Sequence, residues 1–434
     1  MRSELYAVLK ELGWSVPADL DLEARLSTWR SWYEGEVPRF HRYRVYNGVS
    51  RQTCRRAGLG MAKKVCEDWA SLLMNERVRI RAAGVREQAF LERVWEENRF
   101  FLEMNRLQER KAALGTAACV PRLSEGRLRI DCLDAEGILP LSWENGEVTD
   151  CAFAAGLREA GQELLYLQIH HRVRGLYEIE NRFFRLHGGR AEALPPPAGV
   201  PETVRTGRAT RGFVLDRMNI VNNLDPASPM GLSVFANALD QLRGVDVAYD
   251  SYLNEFILGK KRIMVKPEAT KDLDGAPLFD PDELAFYILP EDSSNGSLIR
   301  EIDMSLRTRE HHEGIQDMLN LLAVKCGLGE QFYRFDRGRV FTATQVISEN
   351  TALYRSVRRH ELLLEAALKE LSRILLRLGN DWCGGDFDEE TALQVDFDDS
   401  ILEDRGRDFE RDLRLLERNV ITKEEMRNKW LTNC

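Results

Sequence analysis

The order of the helices in the C-terminal part of the chain constrains its fold most. A helix pattern over Gly231–Gly259 leads into an excursion rich in Pro, Asp and Gly, and a second pattern, about Met304–Cys326, brings the chain back. A loop bounded by glycines follows, and a long amphipathic helix opens at Thr342. Paired helices of this kind are a good unit of a ring around a channel, because they can stand side by side between identical neighbours.

Length and composition set the broad class of protein. With 434 residues the chain is too long for one ordinary core, so two or three domains are expected. The hydrophobic share of 44% and the charged share of 30% are typical of a soluble globular protein. The net charge of −9 argues against a surface built wholly to grip nucleic acid, but not against one that nucleic acid slides past.

Targeting signals and cysteine chemistry give no sign of export. The first residues hold no apolar run of signal-peptide length, and no run of about 18 apolar residues predicts a membrane span. Eight cysteines are scattered without a CxxC pair, which predicts reduced thiols in a cytosolic setting.

The N-terminal part predicts helices followed by a sheet. Two short helix patterns lie within residues 1–50, and Thr53–Asn75 and Arg86–Leu114 predict two strong helices. Between about Ala117 and Leu186 the hydrophobic period changes to two, with turn signals such as Asn145-Gly146, which predicts an antiparallel meander.

Two further features of this part concern packing and domain limits. The aromatic and basic cluster RFHRYRVYNG (39–48) has two open interpretations, of which the favoured one is packing of its rings on the core or on a neighbour. The other is contact with nucleic acid. The proline-rich loop Pro195–Pro201 is the predicted domain seam.

The two long helix patterns carry explicit start and stop signals. Ser228 as N-cap and Pro229 at the first position predict the start of one helix, and Gly259 its end. Thr342 and Gln345 have the spacing of a capping box for the other.

Period and turn chemistry predict the remaining segments. In the helix over about Met304–Cys326, one apolar face is formed by Ile315, Leu319, Leu322 and Cys326. The long helix is expected to run to Leu378, to end at Gly379-Asn380, and to kink near its arginine cluster. A strand is predicted at Leu393–Phe397, and a charged helical stretch at about Asp404–Trp430. Two short strands in the excursion, 262–265 and 285–289, are expected to complete a sheet with another copy.

No constellation of catalytic or ligand-binding residues is recognisable. Gly259-Lys260 lacks the rest of a phosphate-binding loop, and His360-Glu361 lacks the second histidine of a zinc-protease motif. The aspartates of the excursion do not have the spacing of a calcium-binding loop. We therefore predict no enzymatic activity, no cofactor and no metal site.

Four segments resemble, in order and spacing, those of tailed-bacteriophage portal proteins, the head–tail connectors of siphophage type. They are WRSWYEGEVPRFHRY (29–43), MAKKVCEDWASLLMNE (61–76), FANALDQLRGVDVAYDSYLNEFILGKKRIMV (235–265) and FTATQVISENTALYRSVRRHELLLEAAL (341–368). The resemblance covers roughly residues 25–380.

The resemblance implies an α+β, mainly helical portal fold in a ring-forming subunit, usually in a dodecamer. Its parts would be a wing of N-terminal helices and β meander (1–228), stem helix one (229–260), a small α/β clip (261–303), stem helix two (304–326), a tunnel loop (327–342), a long kinked wing helix with its return segment (343–399) and a short helical crown (400–434).

The resemblance also implies a role and sites. The ring would stand at one capsid vertex of the virion, after assembly in the host cytoplasm, and double-stranded DNA would pass through it non-specifically during packaging and ejection. The DNA-facing loop residues would be Gln331, Arg334, Arg337 and Arg339; the clip residues Lys266, Glu268, Lys271, Asp272, Asp274 and Asp280; the stem and channel residues Lys260, Lys261, Arg307 and Arg309.

The implied partners are the terminase large subunit and the head–tail adaptor, which would dock on the clip, and the major capsid and scaffolding proteins; no membrane is implied. An alternative for the loop arginines is pairing with Glu330, Asp336 or a neighbour's acids. The loop aromatics Phe332, Tyr333 and Phe335 are expected to anchor the loop and not to stack on bases, because the bases of duplex DNA are not exposed. Two rival functions stay open: another structural capsid or connector oligomer without a DNA channel, and an unrecognised enzyme of nucleic-acid metabolism.

Overall fold

The computed structural model combines α-helices with open, mostly antiparallel sheets, which confirms the α+β character. It describes residues 2–14, 20–46, 49–124, 126–159, 162–187, 190–197, 199–259, 262–265, 286–288, 299–302, 305–334 and 343–397, and, further on, 413–416, 422 and 426. The capping box at Thr342 and most of the helical stretch predicted at 404–430 lie outside these residues.

The α-helices of the described residues include one that is much longer than the others. They are α1 (Arg2–Glu11), α2 (Leu20–Glu34), α3 (Met61–Leu73), α4 (Val85–Glu97), α5 (Phe100–Leu114), α6 (Leu239–Leu258), α7 (Thr308–Lys325) and α8 (Ala343–Cys383). Short 3₁₀ turns lie at Ala135–Gly137 and Ala236–Ala238.

The strands are concentrated in the middle of the chain. They are β1 (Arg42–Tyr46), β2 (Arg51–Arg55), β3 (Arg79–Ala82), β4 (Thr116–Ser124), β5 (Arg127–Asp134), β6 (Ile138–Glu144), β7 (Glu147–Glu159), β8 (Gln162–Val173), β9 (Leu176–His187), β10 (Arg190–Leu194), β11 (Thr203–Arg205), β12 (Val214–Arg217), β13 (Arg262–Val265), β14 (Phe286–Ile288), β15 (Ile299–Ile302) and β16 (Leu393–Asp396).

The predicted meander is confirmed. The largest sheet has the order β10-β9-β8-β7-β6, with β11 also paired to β9, and every pair in it is antiparallel. Asn145 and Gly146 join β6 to β7 with φ of 51° and 79°, the pair of positive values that a tight hairpin turn needs. Since β11 pairs with β9, this sheet continues across the loop at 195–201.

Two hydrophobic clusters hold these elements together. The larger one joins α2 through α8 with the sheet β12-β4-β5, and its largest fully buried side chains include Trp29, Trp69 and Phe235. A smaller cluster lies under α1, on the face of the large sheet that carries Leu165 and Leu167. Burial of these apolar side chains is the main stabilising term of the fold.

The helix predicted over Arg86–Leu114 is two helices, α4 and α5. Arg99 lies between them with φ of 48°, in the left-handed region that a right-handed helix cannot contain. The Asn98 side chain donates to the Leu128 carbonyl oxygen (2.9 Å) and accepts from the Ile130 N–H (3.1 Å) of β5. The break is therefore fixed by tertiary contacts that a helical period does not reveal.

The helix predicted over Thr53–Asn75 begins later, at Met61. Thr53 belongs to β2, where it pairs with Arg44 of β1. Gly60 precedes the helix with φ of 71°, a conformation that suits glycine and interrupts any helix. The prediction of a helix over Thr53–Gly60 was therefore wrong, whereas α3 itself is confirmed.

The helix predicted to start at Pro229 also begins later, at Leu239. The residues in between run through irregular, buried backbone. A Cβ on Gly231 would lie 2.4 Å from the Gly115 carbonyl oxygen, so only glycine allows this close approach. The N–H of Gly231 donates to the Thr116 hydroxyl (2.8 Å), outside any helical ladder.

Helix α8 continues through the predicted stop at Gly379-Asn380 and ends at Cys383. Gly379 is required for close packing instead, because a Cβ there would lie 2.6 Å from Cζ of Phe90. Asn380 both donates to and accepts from the backbone of Phe387 (3.0 and 2.7 Å), so its side chain ties the helix to the return segment. The strand predicted after it is confirmed as β16, paired with β3.

The strands of the excursion pair with one another inside one copy. β13 lies between β14, to which it is parallel, and β15, to which it is antiparallel. β15 is a third strand of this sheet that the sequence did not predict. Completion of the sheet by another copy stays a prediction.

Candidate functional site

Helices α6 and α7 pack against each other and are connected through the small sheet β14-β13-β15. The predicted buried face of α7 is confirmed: Ile315, Leu319 and Leu322 are all buried. Gly244 of α6 lies against Met318 of α7, where a Cβ would meet its sulfur at 3.0 Å. With 18 residues, α7 is about 27 Å long at 1.5 Å per residue.

Two carboxylates on one face of α6 fasten it to the chain segment before α3. Asp246 accepts the N–H of Leu59 at 2.7 Å, and Asp250 accepts the N–H of Ala57 at 2.9 Å. The two aspartates are four residues apart and therefore lie on the same side of the helix. This side of α6 is thus bound directly to the N-terminal part of the protein.

His41 strengthens the same attachment. Its Nδ1 accepts the N–H of Val37 (2.8 Å), so Nε2 carries the proton and donates to Asp246 at 3.0 Å. The ring packs edge-on against Phe40 and Trp32 at centroid distances of 4.9 and 5.8 Å. Packing of the aromatic cluster on the core is therefore confirmed for Phe40 and His41.

The far end of the helix pair is held by ion pairs. Glu255 of α6 accepts from the backbone N–H and from Nε and Nη2 of Arg307 (3.1, 3.0 and 2.8 Å), which precedes α7. His311 approaches the same carboxylate at 3.4 Å. Hydrogen bonds from Arg307 lower the pKa of Glu255 to about 2. The carboxylate is thus ionised at neutral pH and joins the two helices.

The chain turns sharply where α7 ends. Gly327 and Gly329 follow with φ of 77° and 89°, which confirms the predicted stop. The indole N–H of Trp69 donates to the Cys326 carbonyl oxygen at 3.0 Å, and so covers one of the exposed carbonyl groups at the helix end. Helix α3 thereby holds the root of the loop in place.

Tyr333 anchors the loop itself. Its hydroxyl donates to Asp68 of α3 (2.8 Å), and its carbonyl oxygen accepts from the Gln316 amide of α7 (2.6 Å). Burial raises the pKa of the Tyr333 hydroxyl well above its usual range. The prediction that the loop aromatics anchor the loop is confirmed for Tyr333, and Phe332 packs on its ring at 5.1 Å.

The structure describes four of the predicted site residues. Gln331 and Arg334 are half-buried and lie just beyond the C-terminal end of α7. Arg307 and Arg309 lie at its start, the latter paired with Glu313 at 3.0 Å. The two sets are at opposite ends of a helix about 27 Å long. The other predicted residues lie outside the described ranges: Arg337, Arg339, Lys260, Lys261, Lys266, Glu268, Lys271, Asp272, Asp274 and Asp280.

The buried histidines belong to the core. His360 accepts the N–H of Asn219 through Nδ1 (3.0 Å) and packs edge-on against Trp69, and burial lowers its pKa to about 3. His170 lies between Phe153 and Phe213, and burial lowers its pKa to about 3 as well. Neutral rings in such surroundings fill space and position backbone.

The described part of the chain also bears on metal binding and on membrane insertion. No group of three or more histidine, cysteine or acidic side chains there could hold a metal ion. In the same part of the chain, no helix combines the length and the apolar character needed to cross a membrane.

Sequence reasoning missed the anchoring residues of α6. The helical period assigns no role to Asp246, Asp250 or Glu255. The i, i+4 spacing of Asp246 and Asp250 was a usable signal, because two acids on the flank of an apolar stripe are well placed to accept backbone N–H groups.

Comparison with known proteins gives one family. A family model described as "Phage portal protein, SPP1 Gp6-like" matches residues 19–165, which run from the start of α2 into β8 and make up about a third of the chain. The match supports a tailed-phage portal protein, that is, a structural head–tail connector. A search of curated proteins found no match.

Proposed function

We propose that this chain, which the family match supports as a tailed-phage portal protein, forms a closed ring at one vertex of the capsid. Double-stranded DNA would pass through the ring during packaging and ejection. The observation that carries the proposal is the pair α6 and α7, which is bound to the N-terminal part at one end and ion-paired at the other. Two helices that are fixed at both ends can line a channel without a separate hydrophobic core.

The charge of the chain fits a passive conduit. Twelve copies of −9 would carry a net charge on the order of −100, and a surface of that sign repels a polyanion and so disfavours sticking. A few arginines at the loop would then supply local phosphate contacts that exchange easily. In this role the chain would catalyse no reaction, and the terminase would hydrolyse ATP.

The parts of the subunit would divide the work as the family resemblance implies. The clip, with β13, β14 and β15, would dock the terminase large subunit and later the head–tail adaptor. The loop beyond Tyr333 would face the DNA, with Gln331, Arg334, Arg337 and Arg339 as its contacts. The wing would meet the major capsid and scaffolding proteins.

The test is to replace Arg334, Arg337 and Arg339 by alanine together. Rings should assemble as in the wild type, because Tyr333, which is left unchanged, anchors the loop. Packaged DNA per particle should change, as measured by nuclease protection. A variant that fails to assemble would show that the arginines join subunits, and unchanged packaging would exclude them as DNA contacts. Replacement of the exposed, ion-paired Arg106 of α5 by alanine is the matched control.

A further inference from the structure

The β1–β2 ribbon displays a face of arginines. In its antiparallel register Arg42 lies opposite Arg55, and Tyr46 opposite Arg51. Residues opposite each other, and residues two apart along a strand, share a face, so this face also carries Arg44. All four arginines are exposed, and Tyr46 is 64% exposed. We call these residues the arginine face.

Within the described part of one copy, little of this charge is neutralised by paired acids. Arg42 pairs with Glu36, whereas no ion pair of Arg44, Arg51 or Arg55 is formed among the described residues. Like charges opposite each other destabilise a strand pair, and a two-stranded ribbon is marginal on its own. An acidic surface on another molecule would therefore stabilise the arginine face most.

The ribbon is held firmly at its root. Arg56 donates its N–H to the His41 carbonyl oxygen (2.8 Å), and its guanidinium stacks between Phe40 and Tyr43 at 4.4 and 4.8 Å. His41 is in turn bonded to Asp246 of α6. The arginine face is thus presented in a fixed direction relative to α6, as an interaction surface requires.

A complementary stripe runs along the outward face of α7. Glu310, Glu313, Asp317, Leu321 and Val324 are exposed and recur at three and four, so they lie on one side of the helix. That side is opposite to the buried one. The stripe is acidic at its start and apolar at its end, where the two aliphatic side chains are 52% and 54% exposed. We call it the α7 stripe.

We propose that the arginine face of one copy docks on the α7 stripe of the neighbouring copy. This inference rests on the proposed ring. The arginines would meet the carboxylates of the stripe, and the exposed Tyr46 near the ribbon tip, which lies on the same face, would meet its apolar end. Because two different surfaces meet, the contact is head-to-tail, which is the kind that closes a ring.

The dimensions fit. The ribbon strand from Arg42 to Tyr46 is about 14 Å long at about 3.4 Å per residue. The carboxylates from Glu310 to Asp317 span about 10 Å along the helix at 1.5 Å per residue. Arginine suits such a contact better than lysine, since its fork binds carboxylates through two hydrogen bonds.

The test is charge reversal with rescue, followed by native mass spectrometry at matched concentration. The double changes Arg44→Glu/Arg51→Glu and Glu310→Arg/Asp317→Arg should each lower the assembled fraction at least tenfold. The protein with all four changes should recover most of it, which a merely misfolded variant would not. Gln52→Glu, on the opposite face of the ribbon, is the matched control and should assemble normally.

A cross-link gives a second readout that does not depend on charge. Protein with Thr53→Cys, on the arginine face, should form disulfide-linked pairs when mixed with protein carrying Asp317→Cys. Gln52→Cys should not do so above the background of the native cysteines.

The outcomes separate this inference from the proposed function. Rings that survive both charge reversals overturn the inference and leave the conduit standing. A ribbon variant that assembles but binds duplex DNA more weakly also overturns it, and makes the arginine face a DNA contact. A wild-type chain that forms no ring under any condition overturns both.

Discussion

Lys111 and Asp216 lie deep in the interior, whereas Glu255 and Arg307 join two long helices at the surface. The Lys111 ammonium is 2.9 and 3.0 Å from the two carboxylate oxygens of Asp216, and both side chains are at most 5% exposed. The Arg307 side chain is 68% exposed. The charges of the first pair are neutralised inside the subunit. The second pair lies at the surface, beside the exposed α7 stripe.

The two ion pairs differ in where their charges must be satisfied. The interior must satisfy each buried charge within the subunit, because an unpaired charge there is costly. The helix pair is different, since it is held at its two ends and leaves the α7 stripe exposed between them. We therefore expect the largest losses of stability from changes in the interior, and smaller losses from changes on the helix pair.

The largest effect is expected for Lys111→Met, which keeps the side-chain length but removes the charge. Of its side-chain donors among the described residues, Asp216 would keep only the Gln108 amide (2.9 Å), and it would be a buried, uncompensated carboxylate. Breaking a buried pair in this way costs about 3–5 kcal/mol. Urea unfolding measures the loss, and the double variant Lys111→Met/Asp216→Leu should recover most of it. An unchanged unfolding midpoint for the single variant would contradict the account.

A smaller effect is expected for Asp246→Ala. The change leaves the N–H of Leu59 and Nε2 of His41 without their acceptor, and each unsatisfied buried donor costs about 1–3 kcal/mol. Asp240→Ala on the same helix is the control, since that side chain is 85% exposed and surface changes are usually within about 0.5 kcal/mol. Hydrogen exchange at Leu59 should accelerate only in the Asp246 variant; equal exchange in both would refute the anchoring role.

The smallest effect concerns pH and the surface pair. The pKa of Glu255 in the folded state, about 2, is below its ordinary value of 4.5. The pair therefore contributes stability that is fully present above about pH 4.5 and is lost as the pH falls through about 2. Between these values the unfolding midpoint of the wild type should fall more steeply than that of Glu255→Gln. Identical slopes, at low ionic strength where screening is weak, would contradict the pairing.

Much of the fold could be predicted where the determining signal is local. The Asn145-Gly146 turn, the glycines after α7, the alternating strands of the meander and the buried face of α7 depend on neighbours within a few residues. Residue type and period carry that information directly. The aromatic anchor at Tyr333 was likewise foreseen from its chemistry.

The predictions that were wrong concern positions whose conformation depends on residues far away in the sequence. Gly231 interrupts the expected helix because its backbone meets that of Gly115, and Gly379 does not end α8 because its missing side chain makes room for Phe90. The residue type is the same in both cases, so only the tertiary packing distinguishes a glycine that interrupts a helix from one that lies within it. The attachment of α6 through Asp246 to Leu59 and His41 spans about 190 and 200 residues, beyond the reach of any periodic pattern.

The central claim, a closed ring, is tested most directly by electron-microscope top views of the purified protein combined with native mass spectrometry. We predict closed rings of about twelve copies around a central opening wide enough for duplex DNA. Monomers or open, non-closing assemblies, obtained even when scaffolding protein is present, would contradict the ring and favour a structural role without a channel.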